Sequence, residues 1–136
     1  MSDLSAEDVA RIKSSFAKIL PHRDDFSIKL YDRLFAVAPE ARRLFPNSMD
    51  MQREKLIATL VLVVRSADNL GELLEDVRAL GRRHVDYGAA PSHYGILKTV
   101  LLETMAEVLG KDFDDETRQS WSRLYDRVAA VMIGED

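Results

Sequence analysis

The chain has 136 residues, a length that fits one domain with one core, and it contains no cysteine. The absence of cysteine excludes disulfide frameworks, thiolate zinc sites, iron–sulfur clusters and cysteine nucleophiles. The formal net charge is −4 with both signs mixed along the chain, so the sequence lacks the basic block typical of a nucleic-acid binder.

The sequence contains no targeting signal and no membrane segment that we can identify. Residues 1–20 lack the basic start and apolar stretch of a signal peptide. The longest apolar run, residues 56–64, is interrupted by Thr59 and is far shorter than the ~20 residues that a membrane helix needs. We therefore expect one cytoplasmic domain over residues 1–136, a monomer or a homodimer, with no membrane and no nucleic acid among its partners.

Apolar residues recur at intervals of three and four along the chain, which is the helical period. A first helix is predicted to start at Ser5, with Asp8 three residues later in a capping-box arrangement, and to stop at Pro21. A second helix is predicted over residues 25–37. Its predicted inward face comprises Ile28, Tyr31, Leu34 and Phe35.

The rest of the chain continues the helical pattern. A short helical turn and four longer helices are predicted over residues 39–45, 48–67, 70–87, 91–109 and 114–133. Pro91 suits the first position of its helix because proline there sacrifices no hydrogen bond, and Gly110 suits the end. Since strand patterns are absent and the connections are short, the sequence predicts an all-α globular fold.

His84 is the first residue that could carry chemistry. It follows Leu80 by four residues and Val77 by seven, so it lies on the inward face of its helix, in the last turn. Such a histidine can bind a metal, or it can be a core residue that bonds a carbonyl or favours the helix C-terminus, and spacing alone does not decide. A metal site built on His84 would need ligands from outside the protein, and haem supplies four of them.

Two polar side chains lie at the edges of apolar faces. Tyr31 sits in the middle of the second helix, and Gln52 precedes Leu56 by one turn of the third. Either can be an ordinary residue at the edge of a core, although a buried tyrosine hydroxyl usually finds a partner. Enzyme motifs such as a Gly-rich phosphate loop, HExxH, GxSxG or an EF-hand are missing from the sequence.

Three segments agree in order and spacing with one known family. The most specific is GRRHVDYGAAPSHYGILKTVLLETMAEVLG, residues 81–110, and the second is LYDRLFAVAPEARRLFP, residues 30–46. A weaker match is WSRLY, residues 121–125. On these segments the chain resembles bacterial globins, especially the single-domain haemoglobins and the globin half of flavohaemoglobins. The resemblance implies a globin fold of about six to eight helices enclosing a pocket for haem b, iron protoporphyrin IX.

On the distal side of the haem, the resemblance implies that Tyr31 and Gln52 reach the ligand. Phe45 would stack on the porphyrin and Leu56 would roof the pocket. Oxygen takes on superoxide-like charge on ferrous iron, so a buried hydroxyl such as that of Tyr31 would favour it over carbon monoxide. If the alignment before this helix shifts by one turn, Lys55 instead of Gln52 would face the iron.

On the proximal side, the resemblance implies that His84 ligates the iron through one ring nitrogen while the other donates to a carbonyl or polar group. Tyr94 would lie on this side. The remaining residues that we expect at the pocket or at the haem propionates are Leu97, Tyr125, Lys55, Arg82 and Arg83. Flavohaemoglobins have an acidic residue late in the last helix, and Asp136 falls near it, but at a terminus where we do not expect it to complete a proximal triad.

The resemblance implies reversible binding of O2, CO and NO, for oxygen binding, storage or delivery. The alternative is an enzyme, a nitric oxide dioxygenase or a peroxidase-like haem protein, which would need a separate reductase. A third reading is a sensor or interaction module, and because globin-like modules that have lost haem typically lack the proximal histidine, His84 argues against it. We expect a gas binder rather than an enzyme.

Overall fold

The computed structural model describes residues 4–45, 48–86 and 91–133, apart from the side chains of Leu74, residues 84–86 and Pro91. Within these ranges the chain forms six α-helices and no strand, so the all-α prediction is confirmed. The helices are α1 (Ala6–Ile19), α2 (Arg23–Val37), α3 (Met49–Arg65), α4 (Leu74–Asp86), α5 (Pro91–Leu109) and α6 (Asp115–Ile133). Short 3-10 helices cover Leu20–His22, Pro39–Leu44, Leu70–Leu73 and Gly110–Asp112.

The helix ends follow local side-chain chemistry. The Asp8 backbone N–H donates to Ser5 Oγ at 3.0 Å and the Ser5 N–H donates to Asp8 Oδ2 at 3.2 Å, so the predicted capping box is confirmed. Ser48 caps α3 by accepting the Asp50 N–H at 3.2 Å. After α5 the chain turns at Gly110, whose φ of +57° lies in the left-handed region that favours glycine.

The main core lies among α1, α2, α5 and α6, which contact one another along their apolar faces. Its largest fully buried side chains are Trp121, Phe26, Ile12, Ile19, Leu30, Met105 and Leu124. The indole N–H of Trp121 donates to Ser15 Oγ at 2.8 Å, so the polar atom of this buried ring is satisfied.

The two helices that were predicted to flank a haem are anchored to different parts of this core. Helix α3 packs on α1 and α2, whereas α4 packs on α6 and on the 3-10 helix before it. A small cluster of Leu73, Val77 and Val131 seals the contact between α4 and α6. Side chains on α3 and α4 are therefore positioned independently of each other by their own neighbours.

The second helix differs from its prediction in one residue and one boundary. Ile28 was expected on the inward face, but its side chain is 43% exposed, so that prediction is wrong. The contacts that bury Tyr31 and Phe35 do not extend one turn further back, and the helix buries Phe26 and Leu30 on an adjacent face instead. The helix also begins two residues earlier than predicted, at Arg23.

Among the residues that the structure describes, no helix combines the length and the apolar character needed to cross a bilayer.

Candidate functional site

Three aromatic rings form a cluster where α2 meets the chain leading to α3. The ring centroids of Tyr31 and Phe45 lie 5.5 Å apart in an edge-to-face arrangement, and Phe35 lies 5.9 Å from each of them. Arg42 fixes this corner because its guanidinium lies over the Phe35 ring at 5.9 Å and donates to the Phe45 carbonyl at 2.6 Å. The structure thus brings the two predicted aromatic residues, Tyr31 and Phe45, together.

Gln52 meets Tyr31 from the first turns of α3. The amide Nε2 of Gln52 donates to the Tyr31 hydroxyl oxygen at 3.2 Å, and the Tyr31 side chain is only 6% exposed. Because the hydroxyl oxygen accepts from Gln52, its own proton is directed elsewhere. Within the described part of the chain no acceptor for that proton is found. The buried Tyr31 hydroxyl can therefore still donate its proton to a further group.

The surroundings keep the Tyr31 hydroxyl protonated. Burial raises the pKa of Tyr31 above its ordinary value, and this outweighs the opposing effects of the Gln52 hydrogen bond and the Arg53 charge. An unperturbed tyrosine already titrates near pH 10. The hydroxyl is consequently a hydrogen-bond donor throughout the physiological pH range.

Apolar side chains on α3 and α5 complete the surroundings. Leu56 on α3 and Leu97 on α5, both predicted to line the pocket, are half-buried and pack against the main core. Their neighbours with the same half-buried character are Ile57, Leu60, Val61 and Ile96. These two helices thus retain apolar surface that the described protein atoms cover only in part.

Tyr94 and Tyr125 come together elsewhere, where α5 begins beside α6. The Tyr125 hydroxyl donates to the backbone carbonyl of Tyr94 at 2.6 Å, which ties the first turn of α5 to α6. Burial, with the nearby Tyr94 and Asp126, raises the pKa of the Tyr125 hydroxyl. Burial also raises the pKa of Tyr94.

The backbone of His84 lies in α4 as predicted, while its side chain lies outside the described residues. Gly81, one turn earlier, explains how closely α4 approaches α6. A Cβ atom added at Gly81 would lie 2.7 Å from the Met132 Cα atom and 2.8 Å from its carbonyl carbon. The helix that carries His84 is therefore fixed by backbone against backbone.

The remaining predicted site residues are surface cations or lie outside the described residues. Lys55, Arg82 and Arg83 are all exposed, and Asp136 belongs to the undescribed end of the chain. Sequence reasoning did not single out Arg53 or Arg42 for the site. The only sequence feature that pointed to these two arginines was their proximity to Gln52 and Phe45. Any surface arginine can have such neighbours.

A comparison with models of protein families identifies the family of this chain. A family model described as Globin matches residues 28–132, which include most of α2, all of α3 to α5 and most of α6. The chain belongs to the globin family. The resemblance found in the sequence is thereby confirmed, and membership of this family implies haem binding.

Two bacterial relatives of this globin differ in length. It is 29% identical over 130 residues to an uncharacterized globin-like protein of Aquifex aeolicus, covering 96% of this chain and 92% of that one. It is 28% identical over 134 residues to a flavohemoprotein of Bacillus subtilis, covering 96% of this chain. The match spans 34% of that flavohemoprotein, so this globin corresponds to about a third of its length.

A solved structure has the same fold. It is an engineered carbene transferase from Rhodothermus marinus, assigned as a nitric oxide dioxygenase. The two structures superpose with a TM-score of 0.85 at 29% sequence identity, over 95% of this globin and 90% of that chain. The predicted globin fold is therefore confirmed.

The described residues fit a haem group. A buried hydroxyl proton without an acceptor among the described residues, on Tyr31, lies beside aromatic and aliphatic side chains that are only partly covered. A planar apolar ring system would cover such surfaces, and a small polar ligand would accept the proton.

Proposed function

We propose that this globin binds haem b and that its function is reversible binding of oxygen and other diatomic gases. The observation that carries the proposal is the buried Tyr31 hydroxyl, whose oxygen accepts from Gln52 at 3.2 Å. Haem, when bound, supplies an iron atom that takes a gas molecule as ligand. The chain supplies the donor, the apolar surroundings and the proximal ligand.

Tyr31 is the residue that we propose to discriminate between gases. Its hydroxyl, kept protonated by burial, donates to a ligand that carries partial negative charge, as oxygen does, and gains little from carbon monoxide. A hydrogen bond to a charged acceptor contributes about 1.5–3 kcal/mol, or roughly one to two powers of ten in affinity. Gln52 orients the hydroxyl and is the second candidate donor, and its contact with Tyr31 favours it over the exposed Lys55 for this role.

His84 is the residue that we propose as the iron ligand. It is in the last turn of α4, which Gly81 allows to lie directly on the backbone of α6. A neutral imidazole is the usual proximal ligand of a globin haem. Tyr94 and Tyr125 then act on the proximal side, by tying the start of α5 to α6.

The remaining residues of the proposed pocket have two roles, contact with the porphyrin and contact with its propionates. Phe45, Leu56 and Leu97 are proposed to contact the porphyrin and to exclude water, which protects ferrous iron from oxidation. Arg83 and Lys55 are exposed cations, and exposure suits contacts with propionates at the edge of a haem.

Nitric oxide dioxygenation is the second candidate function, favoured by the likeness to flavohemoproteins and to the Rhodothermus marinus protein. It would use the same pocket and a reductase to return the iron to its ferrous state. Consumption of nitric oxide at a sustained rate with oxygen and a generic reductase, faster than the reductase alone, would favour this function over simple binding.

Replacement of His84 tests the haem assignment. His84→Ala should lose haem during gel filtration, and added imidazole should restore the Soret band because it replaces the missing ligand. His22→Ala, an exposed histidine outside the site, is the matched control and should retain haem. An unchanged spectrum and unchanged haem retention in His84→Ala would contradict the assignment.

A further inference from the structure

A groove with a volume of about 390 Å³ opens on the surface where α2 ends against α5. We call it the α2–α5 groove. Val37, the last residue of α2, lines one side, and the rest of the lining comes from one face of α5 between Ser92 and Glu103. This volume lies within the range of small-molecule sites. None of the side chains that we propose to contact gas, iron or porphyrin lines this groove.

The walls of the groove are mostly apolar. The Val37 side chain is 60% exposed, although valine usually avoids water. Ile96 is half-buried, and Val100, of which only 1% is exposed, lies at the base. Covering exposed apolar surface with another apolar group is favourable, so these three side chains form a surface suited to the apolar part of a ligand.

Gly95 leaves the middle of the groove open. A Cβ atom added at Gly95 would have no neighbouring side chain or helix within 4 Å, so the space above this residue is empty of protein atoms. The Thr99 hydroxyl, one turn later, donates to the Gly95 carbonyl at 3.3 Å and is therefore bound to its own helix. A larger side chain at position 95 would enter the groove and block it.

Glu103 brings a negative charge to one end of the groove. The next acid on this face of α5, Glu107, is paired with Lys29 at 2.9 Å and with Arg33 at 2.6 Å. Arg33 also donates to Thr104 Oγ1 at 3.1 Å. These two cations of α2 are thus engaged by Glu107, and within the described part of the chain the exposed Glu103 carboxylate makes no ion pair or hydrogen bond.

We propose that the α2–α5 groove binds a small organic cation, an amine carried on an apolar chain or ring. The apolar part of the ligand covers Val37, Ile96 and Val100, and its ammonium group pairs with the Glu103 carboxylate. An apolar wall with one unneutralised acid at its end is complementary to such a molecule in both shape and charge. The inference goes beyond the proposed gas binding and does not depend on it.

Titration with phenethylamine, a cation of this class at pH 7, tests the inference. Two-dimensional NMR of the isotope-labelled holoprotein locates the binding site. The protein is kept reduced under carbon monoxide, so that an unchanged Soret band shows that the amine has not reached the iron. We expect amide shifts to change at Val37 and over residues 92–103, with a dissociation constant on the order of 1–10 mM.

Neutral phenethyl alcohol and two variants separate the effects of charge and shape. The alcohol should bind about twofold to fivefold more weakly than the amine, because it forms no ion pair. Glu103→Gln should remove this difference, and Gly95→Leu should abolish binding of both probes because its side chain fills the groove. Glu7→Gln removes an exposed acid of α1 and is the matched control, which should keep the wild-type affinities.

Two results would overturn the inference without affecting the proposed gas binding. Equal affinities of the wild-type protein for the amine and the alcohol would show that Glu103 does not select a cation. Shift changes elsewhere in the wild-type protein, or unchanged binding by a Gly95→Leu protein that still unfolds cooperatively, would show that the ligand does not occupy the groove. The shifts in the wild-type protein decide the location even if Gly95→Leu does not fold.

Discussion

At the scale of single residues, the proposed gas binding depends most on Tyr31. Its ring packs edge-to-face on Phe45, and its oxygen accepts the Gln52 amide at 3.2 Å. The sequence places a tyrosine on this helix face, but whether its proton is free depends on a partner 21 residues away. The function of the residue is therefore a property of the packed structure.

Replacing Tyr31 with phenylalanine should remove the hydrogen bond and leave the aromatic packing. Oxygen dissociation should become roughly ten to a hundred times faster, because about 1.5–3 kcal/mol of ligand stabilisation is lost. Carbon monoxide dissociation should change much less. Flash photolysis and stopped-flow mixing measure both rates, and equal effects on the two gases would remove Tyr31 from the donor role.

At the scale of helices, Asp8 joins the two ends of the chain. Besides capping α1, its carboxylate accepts from Ser120 Oγ at 2.7 Å and from Arg123 at 2.8 Å, both on α6. Burial raises the pKa of Asp8, but the hydrogen bonds from Ser120 and Ser5 and the Arg123 charge outweigh it, so the net pKa is lowered. The ionised carboxylate of Asp8 thus links α1 to α6 through hydrogen bonds.

Asp8→Asn should lower the free energy of unfolding by about 1–3 kcal/mol at pH 7, because charge-assisted hydrogen bonds are lost. A lowered pKa in the folded state stabilises the protein above the unfolded value near 3.9 and ceases to do so as pH falls through the folded value. The difference from wild type should therefore be constant from pH 7 to about 5 and shrink below about pH 4.

Urea unfolding of both proteins across this pH range measures that difference. Glu103→Gln, which changes an exposed acid of α5, is the control and should match wild type within about 0.5 kcal/mol. A difference between Asp8→Asn and wild type that grows as the solution is acidified would contradict the role of the carboxylate.

The packing of α4 on α6 gives a second prediction for helices. Gly81→Ala places a methyl group where the Met132 backbone already lies, so α4 must move and stability should fall by about 1–3 kcal/mol. Gly95→Ala is the matched change in α5, where nothing lies within 4 Å of the added Cβ, and it should stabilise by about 0.5–1 kcal/mol.

Thermal unfolding measures both glycine variants. Gly81→Ala should also transfer haem faster to an apoglobin acceptor, because His84 follows Gly81 by one helical turn. If Gly81→Ala were as stable as Gly95→Ala and kept haem equally well, the close approach of α4 to α6 would not be what holds His84 in place.

Features that depend on local sequence could be predicted, whereas features that depend on distant partners could not. Helix boundaries follow from local signals, such as the Ser5 capping box and the prolines, and the pairing of Tyr31 with Gln52 follows from family register. The exposure of Ile28 could not be predicted in this way, because it depends on how far the neighbours of Tyr31 extend along α2. Gly81 likewise gains its role from the Met132 backbone, a partner that the local sequence does not specify.

At the scale of the whole molecule, the proposed site depends on the fold because its parts belong to separately anchored helices. The distal donors come from α2 and α3, which pack together, and His84 comes from α4, which packs on α6. The main core connects these two units through the packing of α1, α2, α5 and α6. The haem pocket proposed between them would keep its shape only while the whole core is intact.

The visible absorption spectrum of the purified holoprotein, ferric and then reduced, before and after carbon monoxide, shows whether the protein holds a haem to which gases have access. A His84-ligated haem in an accessible pocket predicts a Soret band that shifts and sharpens when carbon monoxide is added to the reduced protein. A protein that stays colourless after haemin is added, or whose reduced spectrum does not respond to carbon monoxide, would contradict the account.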